Sequence, residues 1–101
     1  MQARVYRNED VKRVVAFVPR GHKHVRVLIE LADAAIVLQE ATVAGIVRAY
    51  IDVALHPSRR AVELVSRRLE ERKSGFAEHQ LVESGRDEDE VLREIEEILP
   101  G

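Results

Sequence analysis

Residues 25–55 read VRVLIELADAAIVLQEATVAGIVRAYIDVAL, and this apolar block holds 15 of the 35 bulky hydrophobic side chains (Val, Ile, Leu, Met, Phe and Tyr) in a chain of 101 residues. Its first part alternates as a strand does, with Val27, Ile29 and Leu31 on one face. From Val43 onward the apolar residues recur at helical spacing instead. The block therefore predicts a β-hairpin that leads directly into a helix, and it places the core there.

Four strands are expected in the first part of the chain, because alternating or apolar stretches are separated by turn residues. Their expected bounds are Ala3–Arg7, Val11–Val18, His24–Leu31 and Ala35–Gln39. Connections this short favour an antiparallel meander. The second and fourth strands are apolar on both faces, which predicts that neither face is fully exposed.

The helix of the block is expected at Ala41–Leu55. Gly45 lies in its interior, within a ridge of small residues that includes Ala41 and Ala49. A glycine at such a position costs about 1 kcal/mol relative to alanine. A close contact of this small-residue ridge with the sheet or with another helix would offset that cost.

Three further elements are expected after the block. Pro57 ends the first helix and suits the first position of a second one, which is expected to extend to Lys73 with a C-cap at Ser74-Gly75. A last strand is expected from Phe76 to Ser84. Asp87 then caps a final helix whose first turn is acidic.

The expected element order is thus β-β-β-β-α-α-β-α. Strands grouped before helices indicate an α+β domain, with a mainly antiparallel sheet and helices packed on one face. A chain of this length is expected to form a single domain, residues 1–101. The other face of the sheet must be exposed to solvent or covered by a second subunit. We therefore expect a homo-oligomer, with a dimer favoured, formed through the sheet or the small-residue ridge.

The composition excludes several classes of protein. The chain has no cysteine, which rules out disulfides, thiolate zinc sites and a cysteine nucleophile. Charged residues interrupt the apolar block, so a membrane span is not expected, and the N-terminal residues are too polar for a signal peptide. His22 and His24 without a placed carboxylate are a weak basis for a metal site. We expect a cytoplasmic protein with no cofactor and no metal.

Charge is segregated along a chain whose net charge is −2. Residues 1–28 contain seven basic and two acidic residues, whereas residues 85–101 contain two basic and seven acidic ones. Either the two ends pair, within one chain or across an interface, or the basic end forms a face for nucleic acid or another polyanion. The nearly balanced net charge favours pairing.

The sharpest local anomaly is a pair of arginines at the expected start of the second helix. Arg59 and Arg60 lie at its positive end, where a cation is unfavourable by about 0.3–1 kcal/mol. With the free backbone N–H groups near Ser58, they predict a site for phosphate, carboxylate or a nucleic-acid backbone. Basic residues near the second and third strands would extend this site: Arg20, Lys23 and Arg26. The alternative is pairing with acids such as Asp33 or Asp52, or with acids of another subunit.

A polar stripe crosses the apolar helix at Arg48, Asp52 and His56. An aspartate four residues before a histidine can orient its imidazole, which in an enzyme would give an acid–base pair. The ordinary alternative is a histidine that interacts with the C-terminal end of its own helix. No nucleophile motif accompanies the pair, and no catalytic residue is assigned.

Two observations concern the origin of the chain. Asn, Gln and Met are scarce while charged residues are abundant, which is a thermophile-like profile. Residues 28–50, 56–64 and 75–78 together resemble small hypothetical proteins of thermophilic archaea. The resemblance supports a thermophilic origin and implies nothing about activity or sites.

These observations favour a non-enzymatic interaction or scaffold domain that associates with itself. Binding of nucleic acid or of a phosphate-containing ligand through Arg59 and Arg60 is the alternative. An enzyme that uses Asp52 and His56 ranks below both.

Overall fold

The computed structural model describes residues 1–70 and 77–100 of the chain. The elements follow in the order β-β-β-α-β-β-α after a short 3-10 turn at Asn8–Asp10. Their bounds are β1 Val11–Phe17, β2 Arg26–Leu31, β3 Ala35–Gln39, α1 Glu40–Ala54, β4 Leu64–Arg68, β5 His79–Glu83 and α2 Glu88–Ile98. The predicted α+β class with antiparallel strands is confirmed.

The first sheet contains β1, β2 and β3 in sequence order, and both pairs are antiparallel. Val14, Ile29 and Ile36 lie opposite one another across the three strands. The Arg13 Nε atom lies 2.8 Å from Glu30 Oε1 in a directly opposed cross-strand pair. Such opposed charges favour this register over its neighbours.

The second sheet is the antiparallel hairpin of β4 and β5, and it packs against α1. Gly45 is buried there, and a methyl group in its place would lie 2.7 Å from Leu81 Cδ1 and 3.5 Å from Leu64 Cδ1. The close contact expected at the small-residue ridge therefore exists. Its partner is a hairpin of the same chain, so the contact at Gly45 is made within one subunit.

The predicted first strand, Ala3–Arg7, is not a strand. Its backbone is irregular, and the Ala3 N–H donates to the carbonyl of Ile98 at 2.7 Å, at the end of α2. Tyr6 donates its hydroxyl to Asp33 Oδ1 at 3.0 Å, and Arg4 pairs with the same carboxylate. The segment alternates like an edge strand, but its polar groups bind a helix end and a turn instead of a sheet edge.

The predicted second helix is also wrong over the part that the structure describes. Residues 57–63 are irregular, and Leu64–Arg68 form β4. The apolar spacing of Val62, Val65 and Leu69 fits a helix, but pairing with β5 overrides this local pattern. The rest of the predicted helix, its C-cap and the predicted start of the last strand at Phe76 lie outside the described residues.

The core is thin for a chain of this length. Among the described residues, Gly45 and Val91 alone are buried, and α1 contacts both the first sheet and β5. The radius of gyration is 15.7 Å, whereas a compact domain of 100 residues has about 13 Å. Within the described ranges, no helix combines the length and the apolar character needed to cross a membrane.

Candidate functional site

The predicted anion site lies in an irregular connection and not at a helix start. Residues 57–63 join α1 to β4, and Arg59 extends from this connection into a cluster of three carboxylates. Its guanidinium lies 2.6 Å from Glu83 Oε1, 3.7 Å from Glu88 Oε1 and 4.0 Å from Asp52 Oδ2. The hydrogen bond to Glu83 is the main reason why the pKa of Arg59 is raised.

The backbone amides of the predicted site have a partner of their own. The N–H groups of Arg60 and Ala61 donate to Glu88 Oε1 at 3.1 and 3.2 Å. An anion therefore lies at these amides, and it is a carboxylate from the first residue of α2. Of the two acids that the sequence suggested as partners, Asp52 belongs to this Arg59 cluster, whereas Asp33 lies beside the N-terminal segment.

The other residues of the predicted anion site lie in two parts of the chain. Ser58 and Arg60 are exposed in the connection between α1 and β4. Arg20 and Lys23 are exposed in the connection between β1 and β2. Arg26 begins β2 and lines a groove of about 790 Å³, whose lining does not include Arg59. None of these five side chains contacts the carboxylates of the Arg59 cluster.

The polar stripe does not form a catalytic constellation. Arg48 Nη2 donates to the carbonyl of Leu81 at 3.0 Å and so joins α1 to β5. The Asp52 carboxylate faces Arg59, while His56 Nδ1 lies 2.9 Å from the backbone carbonyl of Asp52. His56 therefore contacts the end of its own helix, as the ordinary alternative for this stripe states. Neither the groove beside Arg26 nor the cavity at the Arg59 cluster is lined by Asp52 or His56.

The two histidines weighed as metal ligands have different surroundings. His24 Nδ1 lies 3.1 Å from Glu40 Oε2, and the same oxygen accepts the N–H of Val25 at 2.8 Å. These contacts tie the approach to β2 to the first residue of α1. His22 lies in the preceding turn, where its N–H donates to the carbonyl of Pro19 at 3.0 Å. The arrangement holds the chain in place and gathers no ligand set.

A second ionic cluster lies on α2 and was not predicted. Arg86, just before the helix, contacts Glu63 Oε2 at 3.0 Å, Glu94 Oε2 at 2.6 Å and Glu90 Oε1 at 3.6 Å. The hydrogen bond to Glu94 contributes most to the raised pKa of Arg86. Arg86 and Glu90 are spaced i,i+4, which is the one local signal of this cluster.

The basic and acidic ends of the chain do not pair with each other among the described residues. Side chains of residues 1–28 pair with Glu9, Glu30, Asp33 and Glu40. The acids of α2 pair with Arg59 and Arg86. The ion pairs of each end thus lie within it or join it to other parts of the chain, and among the described residues none of them joins the basic end to the acidic end.

The outward face of α1 exposes several bulky apolar side chains. Tyr50 is 72% exposed, and Ile46 and Val47 are each 50% exposed. Ile51 and Leu55, at 43% and 70%, extend the same apolar region past the end of the helix. Bulky apolar side chains on a soluble helix ordinarily face the core, and here they face outward.

Neither a metal centre nor a similar known protein adds to these features. Within residues 1–70 and 77–100, no group of three or more His, Asp or Glu side chains is arranged to hold a metal ion. Comparisons with protein-family models, curated proteins and solved structures give no match.

Proposed function

We propose that this chain is a self-associating interaction domain that works as a homo-oligomer, with a dimer as the favoured state. The observation that carries the proposal is the accessible surface. The chain exposes 8394 Å², whereas a monomeric protein of this mass exposes about 5,800 Å². The excess of about 2,600 Å² compares with the roughly 1,000–2,500 Å² that one subunit contributes to an obligate homodimer interface.

The chemistry of the exposed surface supports the same proposal. Exposed apolar residues occur on both the first sheet and α1, and they include Val14, Ile36, Val37, Val47 and Tyr50. Contiguous apolar patches beyond a few hundred Å² are rare on monomeric proteins and usually mark interaction sites. An apolar partner surface would remove this area from water and complete the core that one chain lacks.

The alternatives from the sequence have less support. The amides and the arginine that would bind a phosphate are occupied by Glu88 and its neighbours. Nucleic-acid binding stays a prediction that rests on the exposed side chains of Arg20, Lys23 and Arg60. The proposal also places the chain in the cytoplasm of a thermophilic organism, in line with its composition. The two ion-pair networks around Arg59 and Arg86 fit that origin, because such networks contribute more to stability at high temperature.

The test is sedimentation velocity with the full chain over the micromolar range. We expect a particle of twice the chain mass or more, and a monomer throughout that range would contradict the proposal. A parallel mobility-shift assay with duplex DNA and RNA at low salt addresses the alternative, because the electrostatic contribution is largest there. A salt-sensitive shift that is lost in the Lys23→Glu, Arg60→Glu double variant would favour nucleic-acid binding instead.

The thermophilic origin has its own measurement. Mesophilic domains unfold at roughly 45–65 °C, so we expect a clearly higher midpoint for this chain by circular dichroism or calorimetry. A midpoint within the mesophilic range would argue against this part of the proposal.

A further inference from the structure

We propose that a second copy of this chain docks on the outward face of α1, so that two α1 helices pack against each other across a two-fold axis. The surface is the α1 seam, defined as Val43, Val47, Tyr50 and Ala54. This inference rests on the proposed self-association and names the surface through which it occurs.

The first argument is the division of α1 into two faces. Gly45 packs on Leu81 of the hairpin, and Arg48 and Asp52 on the same side bind Leu81 and Arg59. The inward face is thus satisfied by the chain itself. The outward face carries bulky apolar side chains that are exposed by half or more at two positions, Val47 and Tyr50. Removing these side chains from water is favourable by about 25 cal/mol per Å² of buried apolar area.

The second argument is the spacing along the seam. Its four residues follow one another at intervals of four, three and four, which is the spacing of the a and d positions in packed helix pairs. Ile46 and Ile51 flank it and are themselves about half exposed. A stripe of this kind fits the apolar face of another helix at an interaxial distance of about 8–10 Å.

The third argument identifies the occupant as a second copy. An isologous interface requires a patch that complements itself. In an antiparallel pair centred between Val47 and Tyr50, each Val47 lies opposite the Tyr50 of the other copy, and each Ala54 lies opposite a Val43. Large residues thus meet smaller ones. The excess surface of the whole chain, about 2,600 Å², is also large enough to supply what one subunit of an obligate dimer buries.

The charge of the surface excludes a polyanion as its occupant. The charged residues of α1 are Glu40, Arg48 and Asp52. Glu40 is bound to His24 and Val25 at the start of the helix, and the other two have partners on the inward side. The seam therefore offers no cation to a phosphate. Tyr50 at its centre supplies a large apolar area with a hydroxyl that can remain at the wet rim.

The test uses the absence of cysteine from the natural sequence. Chains carrying Val47→Cys and Tyr50→Cys are mixed, oxidised mildly and separated by non-reducing electrophoresis. We expect the mixture to form a disulfide-linked dimer at least about tenfold faster than Val14→Cys, a matched control on the first sheet that is 60% exposed. The register predicts this cross-link because positions 47 and 50 face each other.

A second variant pair measures the energy of the seam. Tyr50→Glu should weaken the dimer at least about thirtyfold, the effect of losing a central aromatic hot spot. Val14→Glu should change the dissociation constant of the dimer by less than about threefold. If Tyr50→Glu does not fold, the cysteine pair still decides, because it places no charge in the seam and each of its two chains keeps one of the two facing side chains.

The possible outcomes separate the two proposals. Equal or faster cross-linking of Val14→Cys in a chain that sediments as a dimer would overturn the α1 seam and leave self-association intact. Association with a different protein but not with itself would also overturn it. A monomer in sedimentation, with no cross-link at either site, would contradict the proposed function as a whole.

Discussion

The two helices of this molecule are held in place by different means. α2 carries its own start signal, because the Asp87 carboxylate accepts the N–H groups of Asp89 and Glu90 at 2.8 and 3.4 Å. α1 begins after Gln39 with no side-chain cap and has Gly45 in its interior. Its position is fixed by packing on the hairpin and, in our proposal, by a second copy. A local signal therefore defines the start of α2, whereas the position of α1 in the fold depends on tertiary contacts.

The largest expected loss of stability comes from adding a side chain at Gly45, where α1 packs closely on the hairpin. Gly45→Val would place a branched side chain against Leu81 and Leu64, and overpacking of this kind costs about 1–3 kcal/mol. Ala44→Val, an exposed neighbour on the same helix, should cost no more than about 0.5 kcal/mol. Urea unfolding of both variants at one protein concentration measures the difference. Equal costs would show that packing on the hairpin does not hold α1.

The second prediction concerns the dependence of stability on protein concentration. Mass action stabilises a dimer by about 1.4 kcal/mol for each tenfold increase in concentration. The unfolding midpoint of the natural chain should therefore rise with concentration, and that of Tyr50→Glu should not. Val14→Glu serves as the control and should keep the dependence. If all three chains behave alike, α1 gains nothing from a second copy.

The third prediction addresses the local signal of α2. Asp87→Ala removes the cap and should cost about 1 kcal/mol, independent of protein concentration. Glu96→Ala, in the last turn of the same helix, should be neutral or slightly stabilising because an acid is unfavourable near the negative end. The free energy of unfolding of each variant gives the comparison. A cost for Asp87→Ala no larger than that for Glu96→Ala would mean that α2 is not specified by its cap.

These differences also explain what the sequence could reveal. The bounds of α1 and β3 and the cap at Asp87 follow from periodicity and from residues close in sequence, and they were predicted within one or two residues. The need for a close contact at Gly45 was also predicted. Its partner Leu81 was not, because it lies 36 residues further along the chain.

The errors arise where distant residues compete with local patterns. Val62, Val65 and Leu69 fit a helix, yet β4 gains a full ladder of hydrogen bonds by pairing with β5. The sequence predicts an anion site at Ser58, Arg59 and Arg60. The anion that the structure places at the neighbouring amides of Arg60 and Ala61 is Glu88, which lies far away in the chain and which the fold brings within 3.2 Å. The periodicity of a sequence contains no information about contacts between residues that lie this far apart in the chain.

The fourth prediction tests the link between α2 and the Arg59 cluster. Glu88→Gln keeps the shape of the side chain but removes the charge that faces Arg59 and the amides of Arg60 and Ala61. We expect a smaller loss of stability than for Asp87→Ala, and one that shrinks as salt is added, because these groups are partly exposed. Glu97→Gln, exposed at the far end of α2, is the matched control and should be neutral or slightly stabilising, as for Glu96→Ala. A loss that does not depend on salt would exclude an electrostatic role for Glu88.

The smallest effect is expected at the N-terminal segment, which bridges the end of α2 and the turn after β2. The hydrogen bond from Arg4, followed by that from Tyr6, holds the pKa of Asp33 below its ordinary value of 3.8. Because this folded-state pKa is lower than the unfolded one, the contact stabilises the fold above the unfolded pKa and is lost as the pH falls through the folded pKa. Arg4→Ala should therefore raise the pKa of Asp33 more than Tyr6→Phe does, as followed by NMR titration of its carboxyl carbon. Arg7→Ala removes a neighbouring cation that pairs with Glu9, and it should leave the pKa of Asp33 unchanged. A measured pKa of 3.8 or above for Asp33 in the natural chain would show that Arg4 and Tyr6 do not hold the N-terminal segment at this turn. The segment would then be held through the hydrogen bond from the Ala3 N–H to the Ile98 carbonyl at the end of α2.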